Sequence, residues 1–150
     1  MDYYQGVVSD YIAADRATFV SNEFWINPKG GPEWFIDALA ISLSGPAGQG
    51  QGRVYLCEVT YSADVAKIVK KVKALSDNLD LIKSFLLEVS NIPEEWDVKV
   101  WLFVLRDNAA KIRERLGPAY KPKITHLEDV APWRYSKGYR ERDPDQNRRV

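Results

Sequence analysis

Two carboxylates interrupt otherwise apolar runs: Asp37 in WFIDALAISLS over residues 34–44, and Glu58 in RVYLCEVTY over residues 53–61. Both runs have the length and the β-branched and aromatic content of strands. The connection between them, GPAGQGQG over residues 45–52, is glycine-rich and holds no large side chain, so the two read as antiparallel neighbours. Strands in a sheet lie about 4.8 Å apart, and carboxylates at one level could share a divalent cation. Without a cation they would repel, and burial would raise the pKa of at least one. Bound Mg²⁺ or Mn²⁺ would relieve both costs, polarise a phosphate and lower the pKa of a bound water, the requirements of phosphodiester hydrolysis. Thr60 lies two residues beyond Glu58 and looks into the same site by alternation. Asp15 is a candidate third oxygen ligand, because it falls on the apolar stripe of a first helix, seven residues after Val8.

Periodicity supplies the elements that must position these groups. Val8, Tyr11, Ile12 and Phe19 are spaced as on a helix, which is expected to run to Ser21-Asn22. Residues 23–27 read as a short strand, and PKGGP over 28–32 forces a turn. On the following strand Phe35, Asp37, Leu39, Ile41 and Leu43 share one face by parity; on the return strand Val54, Leu56, Glu58 and Thr60 do. A long amphipathic helix follows, with Val65, Ile68, Val69, Val72, Leu75, Leu79, Ile82, Leu86 and Val89 at steps of three and four, and a candidate break at Ser76-Asp77-Asn78. Residues 98–105 form another buried strand, and a last helix, capped by Asp107 or Asn108, stops at Gly117-Pro118. From Tyr120 onward the periodicity fades. The expected fold is α/β: a mixed four-stranded sheet flanked by helices in the order α-β-β-β-α-β-α. It occupies residues 1–119, with an irregular, basic-tailed extension over residues 120–150.

With Asp37 on the second strand and Glu58-x-Thr60 on the third, this order resembles the restriction-endonuclease-like, PD-(D/E)XK superfamily. As a pattern of elements the resemblance covers roughly residues 3–116. In residue identity it covers Asp37, Glu58 and the flanking FIDALA and YLCEVT. It implies a metal-dependent phosphodiesterase fold in which Asp37 and Glu58 hold Mg²⁺ or Mn²⁺. An acid from the first helix would complete the set, best matched by Asp15, with Glu23 as second candidate. The departure is Thr60, which stands where the family usually carries a Lys that orients the attacking water. Some members recruit a Lys from the next helix. Lys67, Lys70 and Lys71 lie opposite its apolar stripe on a helical wheel, which leaves Lys73, nearer the stripe's edge, as the replacement.

Composition bounds the partners. At 150 residues with 45% hydrophobic content, one domain can bury a core without staples. Lys+Arg and Asp+Glu balance at 21 each, so DNA binding would have to come from a local patch such as the 67–73 lysine run or the Arg-rich tail. The single Cys57 excludes an internal disulfide framework and suits a reducing cytoplasm. No leader-like or membrane-length apolar run is found, so the expectation is a protein neither exported nor membrane-spanning. The blander readings are strand carboxylates satisfied by backbone amides or a basic neighbour, Cys57 as a small buried hydrophobe, and His126 as a loop residue without a nucleophilic partner. The alternative to a nuclease-like protein is a non-catalytic protein–protein interaction module, homodimeric or otherwise, using exposed Trp25, Trp34 and Trp133.

Overall fold

In the structure, a computed structural model describing residues 3–14, 18–43 and 52–130, the apolar runs become a single sheet. In chain order the elements are α1 (Tyr3–Ala13), β1 (Thr18–Ile26), β2 (Trp34–Ser42), β3 (Arg53–Thr60), α2 (Ala66–Asp77), α3 (Leu79–Ser90), β4 (Asp97–Val104), α4 (Arg106–Leu116), β5 (Lys123–His126) and α5 (Leu127–Val130). The strands lie in the order β1-β2-β3-β4-β5. The β1/β2 and β2/β3 pairs are antiparallel, and β3/β4 and β4/β5 are parallel. Among the described residues no helix is long and apolar enough to cross a membrane.

Each face of the sheet carries its own core. On one, Val54, Leu56, Val100 and Leu102 meet Ile68, Val69, Val72 and Leu75 of α2, Ile82 and Leu86 of α3, and Ile112 of α4. On the other, Tyr55, Cys57, Trp101 and Phe103 meet Val8 and Ile12 of α1 and Leu127 of α5. β3 and β4 are therefore buried on both sides, which is why they read as continuous apolar sequence.

The sheet has five strands, where four were expected. β5 lies within the segment where periodicity fades. It has only four residues, KITH, too few for alternation to register, and it is held by parallel pairing to β4 from Trp101–Lys123 to Val104–His126. One boundary also moves, and the candidate break at Ser76-Asp77-Asn78 divides the long helix as expected. The first helix stops at Ala13, and Phe19 belongs to β1, where it is exposed. The long helix is two helices, divided at Asn78. The Asn78 side chain donates to the Ala74 carbonyl at 2.7 Å and closes α2, while its own carbonyl accepts from Ile82 N–H at 2.9 Å and opens α3.

The cap of α4 differs as well. Neither Asp107 nor Asn108 caps it; the Glu128 carboxylate accepts from Arg106 N–H at 3.0 Å through both oxygens. Asn108 is instead buried and donates to the Ser62 carbonyl at 3.0 Å, tying α4 to the loop after β3. A carboxylate from 22 residues away supplies what a local cap would have supplied.

Simple parity fails along β2, and this shapes the site. Trp34 and Ile36 pack into the α2/α3/α4 core, yet so does Leu39, while Ala38 and Ala40 pack into the α1 core. The strand changes face at Asp37. β1 does the same beside it: Val20 packs with the α1 core, Phe24 and Ile26 with the other. The intervening Glu23 adopts a left-handed φ of 54°, and pairing of the two strands is interrupted between Asn22–Ala38 and Phe24–Ile36. Asp37 and Phe35 therefore do not share a face with Leu39 and Ile41 as alternation predicts.

Candidate functional site

Asp37 sits where β2 and β3 part. Their pairing runs from Ser42–Arg53 to Ala38–Cys57 and stops. One further step of that register would set Asp37 opposite Glu58. Beyond it β2 continues with β1 only, and β3 with β4 only. The divergence deprives β3 of a backbone acceptor, and the Asp37 side chain replaces it: Val59 N–H donates to Asp37 Oδ2 at 2.8 Å. The other oxygen, Oδ1, accepts from Gln5 Nε2 on α1 at 2.7 Å. Ser9, one turn along α1, hydrogen-bonds Asn22 and docks the helix on β1.

Glu58 projects from the other side of the fork, toward α2, and is 4% exposed. Its Oε1 forms an ion pair with Lys71, whose side chain is about a third exposed. The contact is electrostatic in kind, because Oε1 has no hydrogen bond of normal directionality. Burial pushes the Glu58 carboxyl up from 4.5 to about 8, and Asp37 adds to this as hydrogen-bond partner and as like charge. Lys71 opposes the rise without cancelling it. The Asp37/Glu58 pair thus behaves as two acids in contact, one of which favours its neutral form.

The Lys71 ammonium also donates to the Phe35 carbonyl at 2.5 Å, so it bridges β2 and β3 across the open end of the fork. Glu58, Val59, Thr60, Lys67, Ile68 and Lys71 line a shallow cavity of about 320 Å³ there. The Thr60 hydroxyl is turned into a local loop and accepts from Ser62 N–H at 3.2 Å. Just beyond, Tyr61 packs against Tyr4 of α1 with tilted rings whose centroids are 4.5 Å apart.

Lys73 takes no part in this arrangement. Its ammonium stands over the Tyr120 ring, 5.8 Å from the centroid, and Lys71 occupies the place beside Glu58. A helical wheel sends Lys71 to solvent because it follows Cα direction alone. The four-carbon stem curls back over the edge of the stripe and delivers the charge to the sheet. Asp15 lies outside the described residues, as do Trp133, the Arg-rich tail and the glycine connection 45–51. Glu23 is exposed at the face change on β1, in the gap across from Asp37. Trp34 is buried in the core and is no interaction surface.

Among the described residues no three His, Cys, Asp or Glu side chains converge on one point. The two carboxylates nevertheless suit a divalent cation. They lie in contact, and burial and Asp37 raise the Glu58 carboxyl, so a cation that favours the ionised form would relieve that cost beside Lys71.

Two other residues have structural employment. Cys57 is fully buried between the strands on the α1 face, and burial pushes its thiol far above the ordinary range, reinforced by Glu58 and Asp37. The His126 Nδ1 accepts from Arg106 Nε at 3.4 Å, and the same guanidinium pairs with Asp129 at 3.2 Å. His126 also lies 3.6 Å from Asp129, but Arg106 is permanently charged, so the ring serves as an acceptor here. Sequence alone offered no signal for Gln5, and for Lys71 the signal pointed outward.

Compared with known proteins, the chain matches no family model, no curated protein and no solved structure.

Proposed function

We propose that this chain is a nuclease-like protein acting on or binding DNA, with a divalent ion, Mg²⁺ or Mn²⁺, held by Asp37 and Glu58. In this reading Lys71 takes the role that Thr60 cannot perform. The observation that carries it is the convergence of Lys71 from α2 with Glu58, beside Asp37, at the open end of the β2/β3 fork. An ion held there would polarise the phosphodiester and lower the pKa of an attacking water. The chain's own contributions are separable from that chemistry. Gln5 and the Val59 N–H hold Asp37 in one orientation through both its oxygens. Lys71 supplies a fixed positive charge that stabilises negative charge developing on the phosphate oxygens. The α2 wall, through Ile68, limits water around Glu58 and strengthens each of these interactions.

The direct test is nicking of supercoiled DNA with Mg²⁺ or Mn²⁺ by wild type, Asp37→Ala, Glu58→Ala and Lys71→Ala. Loss in each variant is expected, and equal activity in all four would sink the catalytic assignment. Calorimetric titration of the metal into wild type and Glu58→Gln separates a binding-only site from no site.

A second reading, a non-catalytic interaction module, is favoured by β1. Among the described residues it is the edge strand of the sheet, and its Phe19 is 60% exposed. In that reading Lys71 merely neutralises Glu58, and two copies of β1 pair. It predicts a homodimer in sedimentation that is lost on Phe19→Lys, with no metal heat.

A further inference from the structure

The four lysines of α2 do not form one charged face. The Lys71 ammonium is committed inside the site, to Glu58 and the Phe35 carbonyl, and the Lys73 ammonium stands over the Tyr120 ring. Lys70 is exposed and lines no part of the cavity at the fork. Lys67 lies one turn before Lys71, about 6 Å along the helix, and lines that cavity from the same side as Lys71. Glu58, Val59 and Thr60 supply the β3 side. Lys67 is exposed and, among the described residues, forms an ion pair with no carboxylate. The acid nearest to it in sequence, Asp64, is engaged at the start of α2, where its Oδ1 accepts from Ala66 N–H at 3.1 Å. Lys71, and not Lys67, offsets the charge of Glu58. The cavity therefore joins a buried acid, a committed cation and, one helical turn away, a cation left to solvent.

We infer that Lys67 anchors a second phosphate of the substrate, next along the strand from the one at the Asp37/Glu58/Lys71 site, so that the site takes polynucleotide rather than an isolated phosphodiester. The inference rests on the nuclease-like reading of that site and names its substrate class. A lysine ammonium binds phosphate as a point charge, and one strand of a nucleic acid delivers its phosphates at regular intervals. Lys67 and Lys71 share the face of α2 that is turned to the cavity, so a backbone passing Lys71 along the helix axis meets Lys67 next. Lys70 lies off that path, and its charge is not part of the anchor.

The test uses the full chain and a fluorescent DNA duplex, bound without metal over a range of salt concentrations. Loss of one phosphate contact makes the slope of log affinity against log salt shallower by about 0.9, and Lys67→Ala is expected to show that change. Lys67→Arg should restore the wild-type slope, and Lys70→Ala, on the same helix but outside the cavity, should keep it. Equal changes in Lys67→Ala and Lys70→Ala, or none in either, overturn the anchor. A kinetic arm compares plasmid DNA with bis(p-nitrophenyl) phosphate, a diester with a single phosphate, in Mg²⁺ or Mn²⁺. Lys67→Ala should raise KM for plasmid about 10-fold with kcat held, so that the preference for plasmid over the small diester narrows by the same factor. Nicking with a wild-type KM in Lys67→Ala removes the anchor and leaves the nuclease reading standing. Lys67-dependent binding of the duplex with no hydrolysis of either substrate does the reverse. Wild type that neither binds nor cleaves overturns both.

Discussion

Lys71 and Glu58 meet across two elements: a half-buried ammonium from α2 pairs with a carboxylate that is 4% exposed on β3. The same ammonium donates to the Phe35 carbonyl of β2, so one cation ties together both arms of the fork. Removing it would leave Glu58 and Asp37 facing each other with no compensating charge, and the contributions of these residues can be separated.

Lys71→Ala should abolish nicking, by about 10²–10³-fold if its charge acts on the transition state, while Lys73→Ala should leave nicking unchanged. The same Lys71→Ala variant should lose about 1–3 kcal/mol of stability at pH 8, less than for a fully buried pair because its side chain is about a third exposed. Urea unfolding with Glu58→Gln in a double-mutant cycle checks this. Additive effects would show that the ion pair carries no coupling energy.

The Glu58 carboxyl titrates near 8 in the fold against an ordinary 4.5, so the folded state binds the extra proton between those values. Stability from this group is present below about 4.5 and is lost as pH rises through about 8. Melting temperature should therefore fall over that window in wild type and fall less in Glu58→Gln, which should be the more stable protein above pH 8. Mg²⁺ or Mn²⁺ should flatten the wild-type slope, because a bound cation favours the ionised carboxylate. Parallel pH profiles for wild type and Glu58→Gln would contradict the assignment.

Asp37 completes the backbone where the ladder ends. Asp37→Ala strands the Val59 N–H and should cost about 1–3 kcal/mol, whereas Asp37→Asn keeps an acceptor oxygen and should cost less. Amide exchange reads the difference directly: Val59 should exchange much faster in the alanine variant only.

Gly52, immediately before β3, lies under the Trp96 indole, where a Cβ would come within 2.5 Å of three ring carbons. Gly52→Ala must displace the ring and should destabilise by about 1–3 kcal/mol. A melting temperature unchanged from wild type would show that Trp96 can swing away without cost.

Asp37 and Glu58 were legible as a pair because apolar strands advertise an interrupting charge and a short glycine-rich connection makes the strands neighbours. The same local rules identified β2, β3, β4 and the apolar face of α2, whose periodicity is long and unbroken. They could not identify β5, since four residues carry no period and its identity comes from pairing with β4. Nor could they see the face change at Asp37, which depends on the left-handed backbone of Glu23 and on β2 leaving β3 after Ala38. Strand alternation assumes a regular pleat, and one irregular residue inverts it for everything beyond. The choice of Lys71 over Lys73, the anchoring of Asp37 by Gln5 and the place of Lys67 on the cavity wall are likewise products of tertiary structure. Each depends on where a side chain ends, and periodicity reports only where it begins.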